Sequence, residues 1–428
     1  MPSTTPQLLI LGNGFDLQCG LQSSYKDFFR QAILNTATES FGLSQMQAGV
    51  SGFWEKLLLE YYKMNKNDDY NWCVVETIIK DTLRTICFGN KESDKPSLFY
   101  SLSYKAFDWV RGGRDIQTEA KISANPIEQY LFAYCYRFFY HLDVIDEVSY
   151  EQKYLYPLLI HLLQELYHFE SRFCKYLKDN LVNPEDAQQI NTDYIIKAVN
   201  LLAKLTGFTD RQFDGFGEII SREEKWIERS VNHVLKTGEY KTVNVLSKVF
   251  SHLKYTHILS FNYTALFDLL EVDSPCLYSN VHGKLCNHSC NNDCSNSSII
   301  FGIDDNLIHS KTEHSILRLF SKTYRKMFDT STPTSILPPN NIPLTIKFYG
   351  HSLSEADYSY FQSIFDYYDL YSNSKVSLIF YYSEGHEQTD AIYKLINTYG
   401  QSLSNKDQGK NLIHKLLLEN RLKIEKVK

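Results

Sequence analysis

Four short polar stretches carry the residue types best suited to chemistry. The first follows the apolar run 8–11 as Gly12-Asn13-Gly14-Phe15-Asp16, with a third glycine at Gly20. Glycine tolerates positive φ and lets a phosphate approach the backbone, so this G-x-G-x5-G spacing suits a phosphate loop as well as a plain turn. The second stretch is Ser260-Phe261-Asn262-Tyr263-Thr264, where Asn262 or Thr264 also suits a helix N-cap. The third is His282-Gly283, and a lone histidine is commonly structural. The fourth is Gly350-His351-Ser352-Leu353, where His351 either faces a ligand or caps the next helix. With Phe301-Gly302-Ile303-Asp304, these stretches predict a rim of polar side chains beside glycines.

Such a rim needs strands to hold it. "QLLILG" is a short continuous apolar run ending in glycine, the pattern of a buried parallel strand. "THILSF" (256–261), "SIIFGI" (298–303), "LTIKFYG" (344–350) and "VSLIFYY" (376–382) are further predicted strands, rich in β-branched and aromatic residues. "SSYKDFFRQAIL" follows the first strand with helical spacing. From about 45 to 255 the helical period dominates, and no internal repeat appears. The expected fold class is α/β: a Rossmann-type parallel sheet built from 1–45 and 256–428, with a large helical insertion at 46–255. The last stretch, "HKLLLENRLKIEKVK", reads as a solvated, basic C-terminal helix.

Bulk properties narrow the function classes. The chain has 428 residues and a formal net charge of −6, so the basic footprint of a nucleic-acid binder is missing. The 31 Tyr and 26 Phe predict wide packed aromatic surfaces. No apolar run is long enough for a membrane span and no secretory signal is visible, so a cytoplasmic protein with no membrane partner is expected. Nine cysteines then read mostly as reduced thiols.

The ordered set of stretches resembles the sirtuin family. Sirtuins carry a glycine segment of the same G-x-G-x5-G spacing, then Thr-Gln-Asn-Ile-Asp, His-Gly, Phe-Gly-Glu and Gly-Thr-Ser-Leu. The resemblance implies a sirtuin-like NAD-binding core. Gly12, Asn13 and Gly14, with Phe15 and Gly20, would line the pyrophosphate. Gly350, His351 and Ser352 would help hold it, and Tyr25 and Thr264 would complete the binding set. Asn262 would orient the nicotinamide ribose or an attacking water. His282 would be the general base, a role suited to its near-neutral titration. Asp16 stands where sirtuins have a small hydroxyl residue, and would bind a ribose hydroxyl or stabilise positive charge at the ribose carbon. Ser23-Ser24-Tyr25 replaces the sirtuin Asp-Phe-Arg, which weakens a deacylase reading and favours water as acceptor.

A second resemblance spans nearly the whole chain. "GNGFDLxxGLxxSYxDF", "FNYT", "HG", "FGID" and "GHSLSxxDY" are similar to the AbiH family of bacterial phage abortive-infection proteins, whose Trp-x-x-x-Glu element Trp72 and Glu76 resemble. Asp357 belongs to the last of these motifs and has no sirtuin counterpart. Together the two resemblances imply an antiphage effector that hydrolyses NAD to ADP-ribose and nicotinamide. NAD or a related nucleotide would be the substrate. A phage-derived trigger and a homo-oligomer built on the insertion are candidate partners. The alternatives are a nucleotide sensor or toxin without turnover, an NAD-dependent ADP-ribosyltransferase or deacylase, and a nuclease.

Cys286, His288, Cys290 and Cys294 fall in the interval where sirtuins place a structural zinc. Their C-x3-C-x3-C spacing departs from the usual pair of pairs, so a polar loop with free thiols is expected and no metal ligand is assigned.

Overall fold

A computed structural model describes residues 6–29, 52–64, 72–87, 155–183, 186–208, 244–270, 274–285, 299–303, 315–328, 335–354, 357–385 and 388–427, with single residues between 127 and 138 and between 229 and 233. These fall into two compact units. One comprises 1–23, 174–299 and 329–428, the other 24–173 and 300–328.

The first unit is built around strand β1 (Gln7–Leu11), all five residues of which are buried. A strand with no solvated face belongs at the centre of a covered parallel sheet. It pairs in parallel with β4 (Thr256–Ser260) on one side and β6 (Leu344–Tyr349) on the other. Beyond β4 lies β5 (Leu277–Asn280); beyond β6 lie β7 (Val376–Tyr382) and β8 (Leu422–Lys426). The short strands β2 (Val182–Asn183) and β3 (Asp186–Ile190) form a separate antiparallel pair. The sheet order is β5-β4-β1-β6-β7-β8. Counted along the chain, its six strands run third, second, first, fourth, fifth, sixth, the Rossmann-type order. The order reverses between β1 and β6, where such sheets bind ligands beyond the strands' carboxyl ends.

Helices cover this sheet with apolar faces. Ile346, Phe348, Leu378 and Phe380 pack with Phe361 and Phe365 of helix Tyr358–Tyr367, Ile396 and Tyr399 of helix Thr389–Ser402, and Leu416 of helix Lys406–Leu418. Each such side chain, fully buried, contributes about 1.5–3 kcal/mol. Helix Thr192–Thr206, which the sequence places in the insertion, lies in the sheet-bearing unit. Its last carbonyls are tied to the sheet: Lys347 Nζ donates to Leu205 O at 2.8 Å and Gln7 Nε2 to Thr206 O at 3.2 Å.

The second unit holds a cluster of packed aromatic rings. Tyr25, Phe28, Phe169, Phe173 and Phe301 form one cluster, with ring centroids 5.1 Å apart for Phe28–Phe173 and 5.2 Å for Phe169–Phe301. Trp54 Nε1 donates to Leu162 O at 3.0 Å, fastening helix Phe53–Met64.

Two expected elements are corrected. The described residues of the expected 298–303 strand add nothing to the sheet: 300–303 lie in the second unit, and only Ile303 forms an isolated bridge, to Ser321. The Phe301 amide goes instead to Glu170 Oε1 at 2.6 Å and its carbonyl accepts from Arg325, so neither joins a ladder. The C-terminal stretch is not one helix. The helix ends at Leu418, Asn420 turns the chain at φ 55, and Leu422–Lys426 is strand β8. Buried Arg421 fixes this turn by donating to Val376 O and Leu370 O, both at 2.6 Å. Strand β5 has no counterpart among the expected strands, because "LYSN" is short and half polar.

Candidate functional site

The site is assembled at the carboxyl ends of β1, β4, β5 and β6. Past β1 and β6 the chain makes two loops that meet backbone to backbone. Gly12 N–H donates to Tyr349 O at 2.9 Å and Gly14 N–H to Gly350 O at 2.8 Å. A Cβ on Gly12 would lie 2.3 Å from His351 Cα, and one on Gly14 2.7 Å from Gly350 Cα. Close packing of the loops therefore already demands glycine at 12 and 14. Phe15 N–H closes the turn onto Gly12 O at 2.9 Å, and the Phe15 ring is buried. Asn13 is exposed and its Oδ1 accepts from Ser23 Oγ at 2.6 Å. Gly20, at φ 88, makes the left-handed turn after the short helix Gly14–Gln18. Gly350 has φ 69, and Ser352 beyond it is exposed.

Beside these loops sits a buried His–Asp–His cluster. His282, just past β5, places Nε2 3.0 Å from Asp357 Oδ1. His351 places Nε2 3.4 Å from Asp357 Oδ2, and its Nδ1 accepts the Leu353 N–H at 2.9 Å. All three residues are at most 5% exposed. The Phe261 ring stands edge-on to both imidazoles, at 5.4 Å from His282 and 4.5 Å from His351. A carboxylate behind an imidazole holds its orientation and stabilises the imidazolium formed when the ring takes a proton.

A second buried network surrounds Asp16, which is 1% exposed. Thr264 Oγ1 lies 2.7 Å from Asp16 Oδ2, and Tyr194 donates to Oδ1 at 2.8 Å. Burial pushes the Asp16 carboxyl up to about 6, against the lowering effect of the Thr264 and Tyr194 hydroxyls. The Phe261–Thr264 loop is shaped by Asn280, whose Nδ2 donates to Asn262 O at 2.7 Å and to Thr264 O at 3.1 Å. Asn262 is buried, and its Oδ1 has no hydrogen-bond partner among the described residues.

The sheet-bearing unit thus contains Gly12, Asn13, Gly14, Phe15, Asp16, Gly20, Asn262, Thr264, His282, Gly350, His351 and Ser352. Tyr25 is placed in the second unit, inside its aromatic cluster. Glu76 is there too, in a buried ion pair with Lys322. Cys286, His288, Cys290, Cys294 and Asp304 lie outside the described residues, as does the Trp72 side chain. Among the described residues no group of three or more His, Cys, Asp or Glu is arranged to hold a metal ion. No helix among them is long and apolar enough to cross a membrane. Asn280 and Tyr194 are new to the site. Asn280 sits two residues before His282 on the same strand end, a position the pattern could have offered. Nothing in the sequence distinguishes Tyr194 from other helix tyrosines.

The comparison with known families fits this arrangement of motifs. The model described as bacteriophage abortive infection AbiH matches residues 8–167 and 160–382. The chain belongs to the AbiH family. Its membership carries a role in phage abortive infection, and the glycine loop, Asn262-Tyr263-Thr264, His282-Gly283 and Gly350-His351-Ser352 all fall inside the matched span. No curated protein and no solved structure matches the chain.

Proposed function

We propose that this AbiH protein hydrolyses NAD to ADP-ribose and nicotinamide during phage infection. The observation that carries the reading is the His282–Asp357 pair at the carboxyl end of β5, beside the switch point of a Rossmann-type sheet. In this reaction water attacks the nicotinamide ribose carbon, the N-glycosidic bond breaks, and the water proton passes to His282. Asp16, ionised above about pH 6, would stabilise positive charge at that carbon. Asn262 Oδ1 would accept from the water or from a ribose hydroxyl. The amides of Gly12 and Gly14 are already donated to Tyr349 and Gly350, so phosphate binding would fall to Asn13 and Ser352, which face solvent. Loss of the cofactor would stop the host cell, in keeping with abortive infection.

The test uses purified protein with NAD, alone and with lysate of phage-infected cells as activator. Nicotinamide release above a His282→Ala control supports the proposal; none above it refutes it. Cellular NAD during infection, compared among wild type, Asn262→Ala and His282→Ala, extends the test.

The burial of the candidate groups favours a second reading. His282 and Asn262 are 3% exposed and Asp16 is 1% exposed, which suits a nucleotide sensor that encloses its ligand without consuming it. Measurable NAD binding with unchanged NAD would select that reading.

A further inference from the structure

We propose that Asp357 is a positioning residue that fixes His282 in the Nε2–H tautomer, leaving Nδ1 as its basic atom, and that His351 makes this choice one-sided. The inference deepens the reading of His282 as a base and rests on it for its catalytic meaning. The tautomer itself is independent of any substrate.

Leu353 N–H donates to His351 Nδ1 at 2.9 Å, so that nitrogen carries no proton, and neutral His351 must hold its proton on Nε2. The bend that delivers this amide runs from Gly350, at φ 69, to Leu353, at φ 55. Left-handed backbone is unfavourable at a leucine, so the geometry is held against local preference. The protonated His351 Nε2 lies within ion-pair reach of Asp357 Oδ2, 3.4 Å away. The other oxygen, Oδ1, lies 3.0 Å from His282 Nε2. A carboxylate only accepts, so His282 also presents N–H from Nε2. Its Nδ1 is then the unprotonated nitrogen.

Asparagine at 357 breaks this symmetry. It offers one accepting oxygen and one donating NH2 to two imidazoles. His351 is locked as an Nε2–H donor by Leu353, so the oxygen goes to His351. The NH2 then faces His282 Nε2, which must accept, and the His282 proton moves to Nδ1. A swap of one oxygen for NH2 thus caps the basic atom of the other ring.

The experiment is 15N imidazole NMR on the full chain at about pH 8, above the reference imidazole pKa of ~6.5. His282→Gln and His351→Gln assign the two resonances. The expected wild-type pattern is a protonated Nε2 and a pyridine-like Nδ1 for both rings. Asp357→Asn should invert the pattern for His282 alone and reduce nicotinamide release to the His282→Ala level. An Nδ1–H His282 in wild type, or an unchanged His282 in folded Asp357→Asn, overturns the proposal. Should that variant fail to fold, the wild-type spectrum decides by the same criterion. The expected tautomers without any nicotinamide release would sink the hydrolase reading and leave the positioning of His282 standing.

Discussion

Replacing Asp16 by Asn is expected to make the protein more stable as pH rises, relative to wild type. The Asp16 carboxyl is raised from its ordinary 3.8 to about 6, first by burial. The folded state therefore binds this proton more tightly than the unfolded chain. A raised carboxyl loses stability as pH climbs from the unfolded toward the folded value, and the loss is complete above about 6. At 1.36 kcal/mol per unit, the ionised carboxylate costs about 3 kcal/mol at neutral pH. The same relation gives about 1.6 kcal/mol at pH 5, so the cost grows by about 1.4 kcal/mol between pH 5 and pH 7.5. Asp16→Asn keeps an accepting oxygen for Tyr194 or Thr264 and removes the titration. Other carboxyls, such as buried Glu170, titrate alike in both proteins and cancel in the comparison. Urea unfolding of both proteins at the two pH values measures the gap. A gap that stays constant from pH 5 to pH 7.5 refutes the raised carboxyl. The same variant should lose nicotinamide release while gaining stability, as expected where a buried charge is retained for function.

Other perturbations test the supporting structure. Gly14→Ala places a methyl 2.7 Å from Gly350 Cα and should cost about 1–3 kcal/mol, read as a lower urea midpoint. Asn280→Ala removes two hydrogen bonds to the Asn262 loop and should cost about 1–3 kcal/mol, with greater amide exchange at Tyr263 and Thr264. Glu76→Gln removes the carboxylate facing buried Lys322 and should cost about 3–5 kcal/mol, seen as a lower melting temperature.

Much of the sheet was legible because its inner strands are continuous apolar runs. Leu8 to Leu11, Ile258 and Leu259, and Ile346 with Phe348 are buried, and their spacing leaves little choice but a covered strand. The edges were harder. Leu422–Lys426 has mostly exposed residues, and its β pairing depends on a turn at Asn420 that helix periodicity does not reveal. Ile299 to Ile303 shows the opposite error: an apolar, β-branched run in which Phe301 gives its backbone to a Glu170 carboxylate and an Arg325 guanidinium, and Ile303 bonds the Phe320–Lys322 backbone rather than a sheet strand. At the site, His282, Asn262 and Asp16 could be picked out from motif order. The Asp16 partner Tyr194 could not, since a hydrogen bond across 178 residues leaves no local pattern. The glycine spacing did not reveal that Gly12 and Gly14 make room for the neighbouring loop.

The position of β1 also sets the order in which the protein can come into being. Gln7 pairs with Thr256 on one side and Thr345 on the other, so its first partner is synthesised 249 residues later. At about 5–20 residues per second, the strand waits roughly 12–50 s on the ribosome before the sheet can close. The glycine loop cannot meet Tyr349 and Gly350 until later still. A chain whose proposed activity would harm its host is thus born without its site, which closes only after Tyr349 and Gly350 have been made.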